Sequence, residues 1–243
     1  MQSKVIISFL LSSIILLSTF IYSEASTEPI VINAYEEDIT GDGYRETITL
    51  KGLPITKDSS FFQDIWAEIA GVNQSWTISY GGGYHPQLDF VHLTHDQTYN
   101  LLFSSKSSDN QYPNYQLHLF KGDKMVALEL PQLNYTSGKF EDDFQVSVTI
   151  SPDGQAKTVT IDPKPYIEAD IYTSDGSLSE SVSLQVSQPT LKKHYVSKQQ
   201  GYGLKSTQTF REPIKEKKIG TLETLWYFEN GKWIIVQNKW LTE

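Results

Sequence analysis

Alternation of apolar and polar residues with a period of two most constrains how this chain folds. Such alternation puts successive side chains on opposite faces of a β-strand. The alternating runs are rich in β-branched and aromatic residues and are separated by Gly, Asn and Asp, as strands are. They lie at 47–50, 75–80, 115–120, 144–150, 181–186 and 225–236. The segment 64–70 is the one short helix candidate, and we favour a strand there as well. We therefore predict an all-β protein.

Four hairpin turns recur at nearly equal intervals. Their glycines are Gly71, Gly122, Gly176 and Gly231. A fixed period of this size is typical of stacked units, because one unit cannot bury its apolar face alone. The spacing predicts a propeller-like array of about four small antiparallel sheets, with blades of roughly 50–55 residues. The alternative is that a protein rich in hairpins shows these intervals by chance.

The first two predicted units share a loop segment. Residues 38–46 and 92–100 align with an offset of 54. The aligned pairs are Asp38 with His92, Thr40 with Thr94, Asp42 with Asp96, and Glu46 with Asn100. A strand-like run precedes each loop, at 31–34 and 88–91, so each unit is predicted to contribute four strands. The later units lack this loop.

The N-terminus has the layout of a secretory signal peptide. Lys4 precedes an apolar run at 5–21, and Ser23 and Ala25 provide small residues at positions −3 and −1 of a cut after residue 25. We predict a signal peptide at 1–25 and a single domain at 26–243. The alternative is an uncleaved membrane anchor, because an apolar run of this length lies at the lower limit of a spanning helix.

Composition narrows the function and the location. The chain has 29 Asp and Glu against 20 Lys and Arg, which argues against nucleic-acid binding. It contains no Cys, which excludes disulfides, thiolate zinc sites and a Cys nucleophile. An exported chain without Cys is typical of a Gram-positive bacterium. We therefore expect a secreted, monomeric protein, free of the membrane after cleavage and either released or associated with the wall.

The loop 38–46 has the ligand pattern of a calcium site. Asp38, Thr40, Asp42, the Tyr44 carbonyl and Glu46 offer oxygens at positions one, three, five, seven and nine, and hard divalent cations bind such oxygen sets. A hydroxyl at position three is a weak ligand, so we expect a structural Ca²⁺ with an affinity on the order of 10⁻⁴ to 10⁻³ M. The alternative is a turn in which the two aspartates bond only backbone amides.

This loop resembles the calcium loop of the FG-GAP/VCBS repeat found in integrin-type β-propellers. Asp38, Asp42, Gly43 and Glu46 match the repeat pattern, and Thr40 departs from it. The resemblance covers roughly residues 31–130, and the layout is similar to small secreted proteins of Bacillus-type bacteria. It implies a propeller-like fold with adhesion or interaction roles and no catalysis. In the second loop only Asp96 matches.

Two other patterns suggest different chemistry. His85, Asp89, His92 and His95 form the densest group of metal-capable side chains, which leaves a metal-dependent hydrolase as the alternative function. Five tyrosines that flank polar loops are candidates for stacking on sugar rings; they are Tyr80, Tyr84, Tyr99, Tyr112 and Tyr115. The favoured prediction is a secreted, non-catalytic interaction or structural module at the cell surface, wall or spore envelope or in the medium. Its partner would be an unknown protein or a cell-wall glycan.

Overall fold

The computed structural model describes residues 28–94, 98–109, 111–214 and 216–242. The predicted signal peptide at 1–25 and His95 lie outside these residues. Fifteen strands and one four-residue helix make up the regular structure, so the prediction of an all-β protein is confirmed. The helix in the described ranges is far too short to cross a membrane.

The N-terminal part of the described chain forms one antiparallel sheet of seven strands in sequence order. Its strands are β1 (Ile30–Glu37), β2 (Glu46–Pro54), β3 (Phe61–Ala70), β4 (Ser75–Val91), β5 (Asn100–Lys106), β6 (Pro113–Lys121) and β7 (Lys124–Leu128). Each strand pairs with the next along the chain, because the turns between them are short.

Strand β4 bends the sheet. It pairs with β3 as far as Tyr84 and with β5 from there onward, and the register shifts at this point. Gly81 has a φ of 76° and His85 a φ of 49°, both in the left-handed region. A Cβ on Gly82 would lie 2.9 Å from the Phe62 carbonyl oxygen, so the close approach of β3 requires glycine there. The sheet therefore curls into a half-barrel.

The bend divides the sheet into two halves that pack face to face. The first half is β1, β2, β3 and β4 up to residue 80, and the second half is β4 from residue 87 with β5, β6 and β7. Ile48 and Ile65 from the first half share one buried core with Leu101 and Phe103 from the second. Trp76 lies edge-on to Phe120, with ring centroids 4.7 Å apart. The apolar faces of the halves thus bury each other.

The rest of the chain forms two smaller antiparallel sheets. The three-stranded sheet has the order β10-β9-β8, and in the five-stranded sheet β13 pairs with β11, β12 and β14, and β14 with β15. The elements are β8 (Gly138–Glu141), β9 (Gln145–Thr149), β10 (Ala156–Thr160), α1 (Lys164–Ile167), β11 (Gln185–Val186), β12 (Thr190–Ser197), β13 (Gly201–Arg211), β14 (Lys218–Glu229) and β15 (Lys232–Thr242).

The five-stranded sheet joins these parts. Leu204 and Trp226, at one end, share a core with Val91 and Leu102 on the outer face of the second half. At the other end, Phe210 and its neighbours pack against the three-stranded sheet and the helix. The second half of the large sheet is therefore covered on both faces.

The sheets differ in number and size from the predicted blades. About four blades were predicted, whereas the described residues form sheets of seven, three and five strands, and a closed propeller is not shown. The reason is β4, which runs without a break across the predicted boundary between units one and two, so that backbone hydrogen bonds link both units into one sheet.

Candidate functional site

The loop 38–46 is a tight turn held by its own aspartates. The two carboxylate oxygens of Asp38 accept hydrogen bonds from the Gly41 and Gly43 amides, at 2.7 and 2.9 Å. Asp42 accepts a bond from the Tyr44 amide at 2.8 Å. These are the bonds that an Asx-type turn makes, and they stiffen the loop without an ion.

Glu46 points inward from the same loop. Its side chain is buried, with 1% of the residue exposed. Oε2 accepts hydrogen bonds from the amides of Ile39 (2.9 Å) and Thr40 (3.3 Å), and the Thr40 hydroxyl donates to Oε1 at 3.1 Å. Glu46 thus clamps the start of the loop to β2. We call this arrangement the loop clamp.

The predicted calcium ligands are therefore near one another but already engaged with the protein. No group of three or more His, Cys, Asp or Glu side chains in the described residues converges as a metal site. Glu46 Oε2 accepts two bonds, but each of the other bonded carboxylate oxygens accepts one and keeps a second lone pair, so these bonds do not exclude a cation. Calcium binding by Asp38, Thr40, Asp42, Tyr44 and Glu46 stays a prediction.

The second loop, 92–100, repeats the clamp with an amide. Asn100 is fully buried, and its Oδ1 accepts a hydrogen bond from the Leu93 amide at 2.8 Å. Its Nδ2 donates to the Thr94 hydroxyl at 3.4 Å. These contacts occupy the positions that Glu46 and its partners Ile39 and Thr40 occupy in the first loop. Residues 95–97 lie outside the described ranges.

The members of the candidate hydrolase cluster that the structure describes are not brought together. His85 lies within β4 and His92 directly after its end, and the described residues contain no group of three or more His, Cys, Asp or Glu side chains that could hold a metal ion. Asp89 lies 4.0 Å from the Lys193 ammonium. His92 Nδ1 is 3.0 Å from the Thr98 carbonyl oxygen. These three side chains therefore cannot bind one ion.

The five candidate tyrosines have different positions. Tyr80 is in the core, where its ring stacks on Phe103 at 3.9 Å and burial raises the pKa of its hydroxyl. Tyr84 and Tyr99 are half-buried. Tyr112 and Tyr115 line a common groove at the junction of the seven- and five-stranded sheets.

This groove consists of two adjoining cavities. Its main cavity has a volume of about 820 Å³, and an adjoining cavity of about 370 Å³ shares Pro113, Tyr115 and Gln188 with it. The second half supplies one wall, and residues 187–190 before and at the start of β12 supply the other. The main cavity is lined by His85, Gln87, Ser104, Ser105, Lys106, Gln111, Tyr112, Pro113, Tyr115, Ser187, Gln188 and Thr190.

The groove lining consists mainly of hydroxyls, amides and aromatic rings, together with the ammonium group of Lys106. Half of Tyr112 is exposed, so that its ring is available to a ligand. The Ser105 hydroxyl is buried at the floor and has no hydrogen-bond partner in the described part of the chain. No Asp or Glu is among the described lining residues of either cavity. In a chain with a net charge of −9, this makes the groove a local region without negative side chains.

Hydrogen bonds hold the described residues next to Tyr112 between β5 and β6. Asp109 accepts hydrogen bonds from the Ser107 hydroxyl and from the Gln111 amide, and these bonds hold the pKa of its carboxyl below the usual range. The Ser107 hydroxyl accepts a bond from the Tyr112 amide at 2.9 Å, and the Ser107 amide donates to the Tyr112 carbonyl at 2.7 Å. The backbone of Tyr112 is therefore fixed on both sides.

The opposite wall is anchored to the five-stranded sheet. Ser187 bonds to Thr209 twice, once through its amide and once through its hydroxyl, both at 2.9 Å. Tyr115 bridges the walls, because its hydroxyl oxygen accepts a bond from the Leu191 amide at 2.9 Å. Both sides of the groove are thus preformed.

The sequence contained only part of the signal for this site. Tyr112 and Tyr115 were recognised as ring candidates, but nothing local indicates that residues 187–190 lie opposite them. The two walls are far apart along the chain, and β7 to β11 lie between them in the sequence.

The comparisons with known proteins concern the C-terminal part of the chain. A family model described as the YybI C-terminal domain matches residues 134–241, which is less than half of the chain. The match begins just after the seven-stranded sheet and spans β8 to β15. It lies outside residues 31–130, on which the FG-GAP/VCBS resemblance rests, so that resemblance stays a prediction. No curated protein and no solved structure matches the chain.

Proposed function

We propose that this chain is a non-catalytic binding module that holds a glycan in the groove between its seven- and five-stranded sheets. The observation that carries this proposal is the preformed groove with a half-exposed Tyr112 ring among hydrogen-bonding side chains, none of them Asp or Glu in its described lining. We propose that it works outside the cell, at the surface, wall or spore envelope or in the medium. The export layout of residues 1–25 supports this location.

The chemistry of the lining fits a sugar chain. A pyranose ring presents an apolar face and a rim of hydroxyls that both donate and accept hydrogen bonds. An exposed tyrosine ring offers an apolar surface of low flexibility together with a polar end. Gln87, Gln111 and Gln188 offer one donor group and one acceptor each, so either polarity of a sugar hydroxyl finds a partner.

The stiffness of both walls supports binding without a large rearrangement. Ordering a side chain or a loop on association costs free energy, and a wall that is already held avoids most of that cost. Ser107 and Asp109 hold one wall, and Ser187 and Thr209 hold the other. An open groove that continues from the main cavity into the adjoining one suits an extended chain better than a small enclosed molecule.

The alternative of a metal-dependent hydrolase has less support. It requires His85, Asp89, His92 and His95 to converge on one ion, and the three described members are spread along β4 and the residue that follows it. The groove lining offers stacking and hydrogen-bonding groups, which favours retention of a ligand over its cleavage.

We further propose that the loop 38–46 binds one structural Ca²⁺ and that the sheets stack in a propeller-like manner. The oxygens of Asp38, Asp42 and Glu46 support the first point. The second is supported by Ile39 and Leu93, which occupy equivalent loop positions. Ile39 packs between the two halves, and Leu93 packs between the second half and the five-stranded sheet. This repetition of the contact supports a head-to-tail stacking of the halves, as between successive blades.

A binding screen tests the proposed function. The purified chain without residues 1–25 is applied to immobilised peptidoglycan, chitin, hyaluronan and polygalacturonate, and the retained fraction is measured. We expect retention on at least one polymer, with about tenfold weaker binding for Tyr112→Ala, because an aromatic contact contributes on the order of 1 kcal/mol.

Tyr44→Ala is the matched control, because Tyr44 is also an exposed loop tyrosine but lies outside the groove. It should bind like the unmodified chain. Retention on none of the four polymers, or equal loss for both variants, would contradict a glycan site in the groove.

A further inference from the structure

We infer that the ligand of the groove is an acidic glycan, whose anionic group lies against His85 and Lys106 while the sugar ring that carries it stacks on Tyr112. This inference rests on the proposed function and adds the class and the orientation of the ligand.

Two cation-forming side chains lie together at one end of the main cavity. Lys106 ends β5, where it pairs with Tyr84 of β4, and His85 is the next residue of β4. Both residues line the main cavity, so an anionic group bound there is within reach of both side chains.

Lys106 is available for such a ligand. It is exposed, and none of the four ion pairs in the described ranges includes it. No described carboxylate lines the groove beside it. A lysine in these surroundings attracts anions, although the chain as a whole has a net charge of −9 and repels them.

The backbone directs His85 to this place. Its φ of 49° is uncommon for a residue other than glycine, and the following Pro86 restricts it further. A conformation of this kind costs free energy and persists where the surrounding structure imposes it. Here the register shift between Tyr84 and Gln87 imposes it, and His85 is exposed at the groove as a result.

The ring and the cation come from neighbouring rungs of one hairpin. Lys106 pairs with Pro113, and Ser107 bonds to Tyr112 on the next rung, and both Lys106 and Tyr112 line the main cavity. Because both side chains border the same cavity, one acidic sugar residue bound there can place its carboxylate against Lys106 and its ring on Tyr112.

The other end of the groove is neutral. The adjoining cavity is lined by residues such as Gln132, Asn134 and Gln188, with no charged side chain in its described lining. Further sugar residues would lie there, bound through hydroxyls alone. The groove thus has a direction, with the acidic residue of the glycan at the β4–β5 end.

Matched polymers test the inference separately from the proposed function. Hyaluronan and polygalacturonate are each compared with the same polymer after its carboxylates have been reduced to alcohols. We expect at least tenfold tighter binding of the acidic form that the chain retains, and an affinity for it that falls with added salt. Lys106→Gln should remove most of this preference.

Lys121→Gln is the control, because Lys121 is an exposed lysine at the far end of β6, outside the groove. Its preference for the acidic form should equal that of the unmodified chain. Equal binding of acidic and reduced polymers would overturn the inference and leave the proposed function standing. Binding of neither form would overturn the inference as well, and the proposed function would then stand only if peptidoglycan or chitin is retained.

Discussion

The two halves of the seven-stranded sheet share an order of strands but differ in what covers them. Each half consists of a strand, a clamped loop and three further strands, and the two clamps occupy equivalent positions. In β2, buried residues alternate with exposed or half-buried ones, whereas nearly all of β5 is buried. The difference arises because the five-stranded sheet covers the outer face of the second half.

This comparison shows that the pattern of apolar and polar residues in a strand indicates how many of its two faces are covered by other parts of the protein. The segment Leu101, Leu102 and Phe103 is continuously apolar, as expected for a strand with both faces buried. Its counterpart in the first half, 47–49, reads Thr-Ile-Thr and has one buried face. The same topology thus accepts either pattern, depending on its neighbours.

The largest expected effect tests the covered outer face. Leu102→Ala should lower the free energy of unfolding by about 2–5 kcal/mol, because it leaves a cavity against the five-stranded sheet. Thr47→Ala, on the exposed outer face of the first half, should change it by about 0.5 kcal/mol or less. Urea unfolding followed by tryptophan fluorescence measures both. A cost below about 1 kcal/mol for Leu102→Ala would mean that the second half is not covered in this way.

The next effect compares the two loop clamps. Glu46→Ala leaves the Ile39 amide buried without a partner, and we expect a loss of about 2–3 kcal/mol. Asn100→Ala removes the equivalent neutral bond to Leu93 and should cost about 1–2 kcal/mol.

Glu46→Gln separates the clamp from charge, because a glutamine retains an acceptor oxygen for the Ile39 amide. It should cost less than about 1 kcal/mol in the same unfolding experiment. Glu36→Ala, an exposed carboxylate at the end of β1, is the control for general loss of charge. If Glu46→Gln lost as much stability as Glu46→Ala, the hydrogen bonds of Glu46 would not be what stabilises the loop clamp.

A smaller effect concerns an imidazole that the second half buries. His118 lies edge-on to Tyr80, its Nδ1 has no hydrogen-bond partner in the described ranges, and burial lowers its pKa. The unfolded chain therefore takes up a proton that the folded chain does not, and stability falls as the pH drops through the ordinary value of 6.5. His118→Phe should show a shallower decrease between about pH 7 and pH 5.5. An unchanged pH dependence would show that the imidazole is not protected from protons.

The smallest expected effect is the stabilisation of the loop 38–46 by Ca²⁺ bound to its aspartates. Millimolar Ca²⁺ should raise the melting temperature of chelated protein by about 2–4 °C, because a weak site adds on the order of 1 kcal/mol. Asp42→Asn should remove the rise, and Asp89→Asn, which lies outside the loop, should preserve it. Without a rise in the unmodified chain, the aspartates would act on backbone amides alone.

Several features of the molecule could be predicted from local patterns. The strands and hairpins follow from period-two alternation and from Asp-Gly and Asn-Gly turns, which act within a few residues. The alignment of Glu46 with Asn100 also came from the sequence, but this position was interpreted as a ligand position of a calcium loop whose second copy has degenerated. The structure gives this position another role, because a buried acceptor opposite two amides must be satisfied whether or not an ion is present.

Only part of the candidate site could be predicted from the sequence. Tyr112 and Tyr115 stood out as rings beside polar loops, and the histidines stood out as metal-capable side chains. The histidines follow one another along β4 and its end, and the described residues bring no group of three metal-capable side chains together. The groove itself depends on the meeting of β6 with the start of β12, which no local pattern specifies.

The amino-acid sequence by itself determined that the chain is built of strands, where most of them run, and that the loops 38–46 and 92–100 resemble each other, because backbone preferences and side-chain alternation are local. Only the tertiary structure decided that the two units share one bent sheet, that Glu46 faces inward and that Tyr112 overlooks a groove. These features depend on which apolar faces bury each other, and that choice is made between residues far apart in the chain.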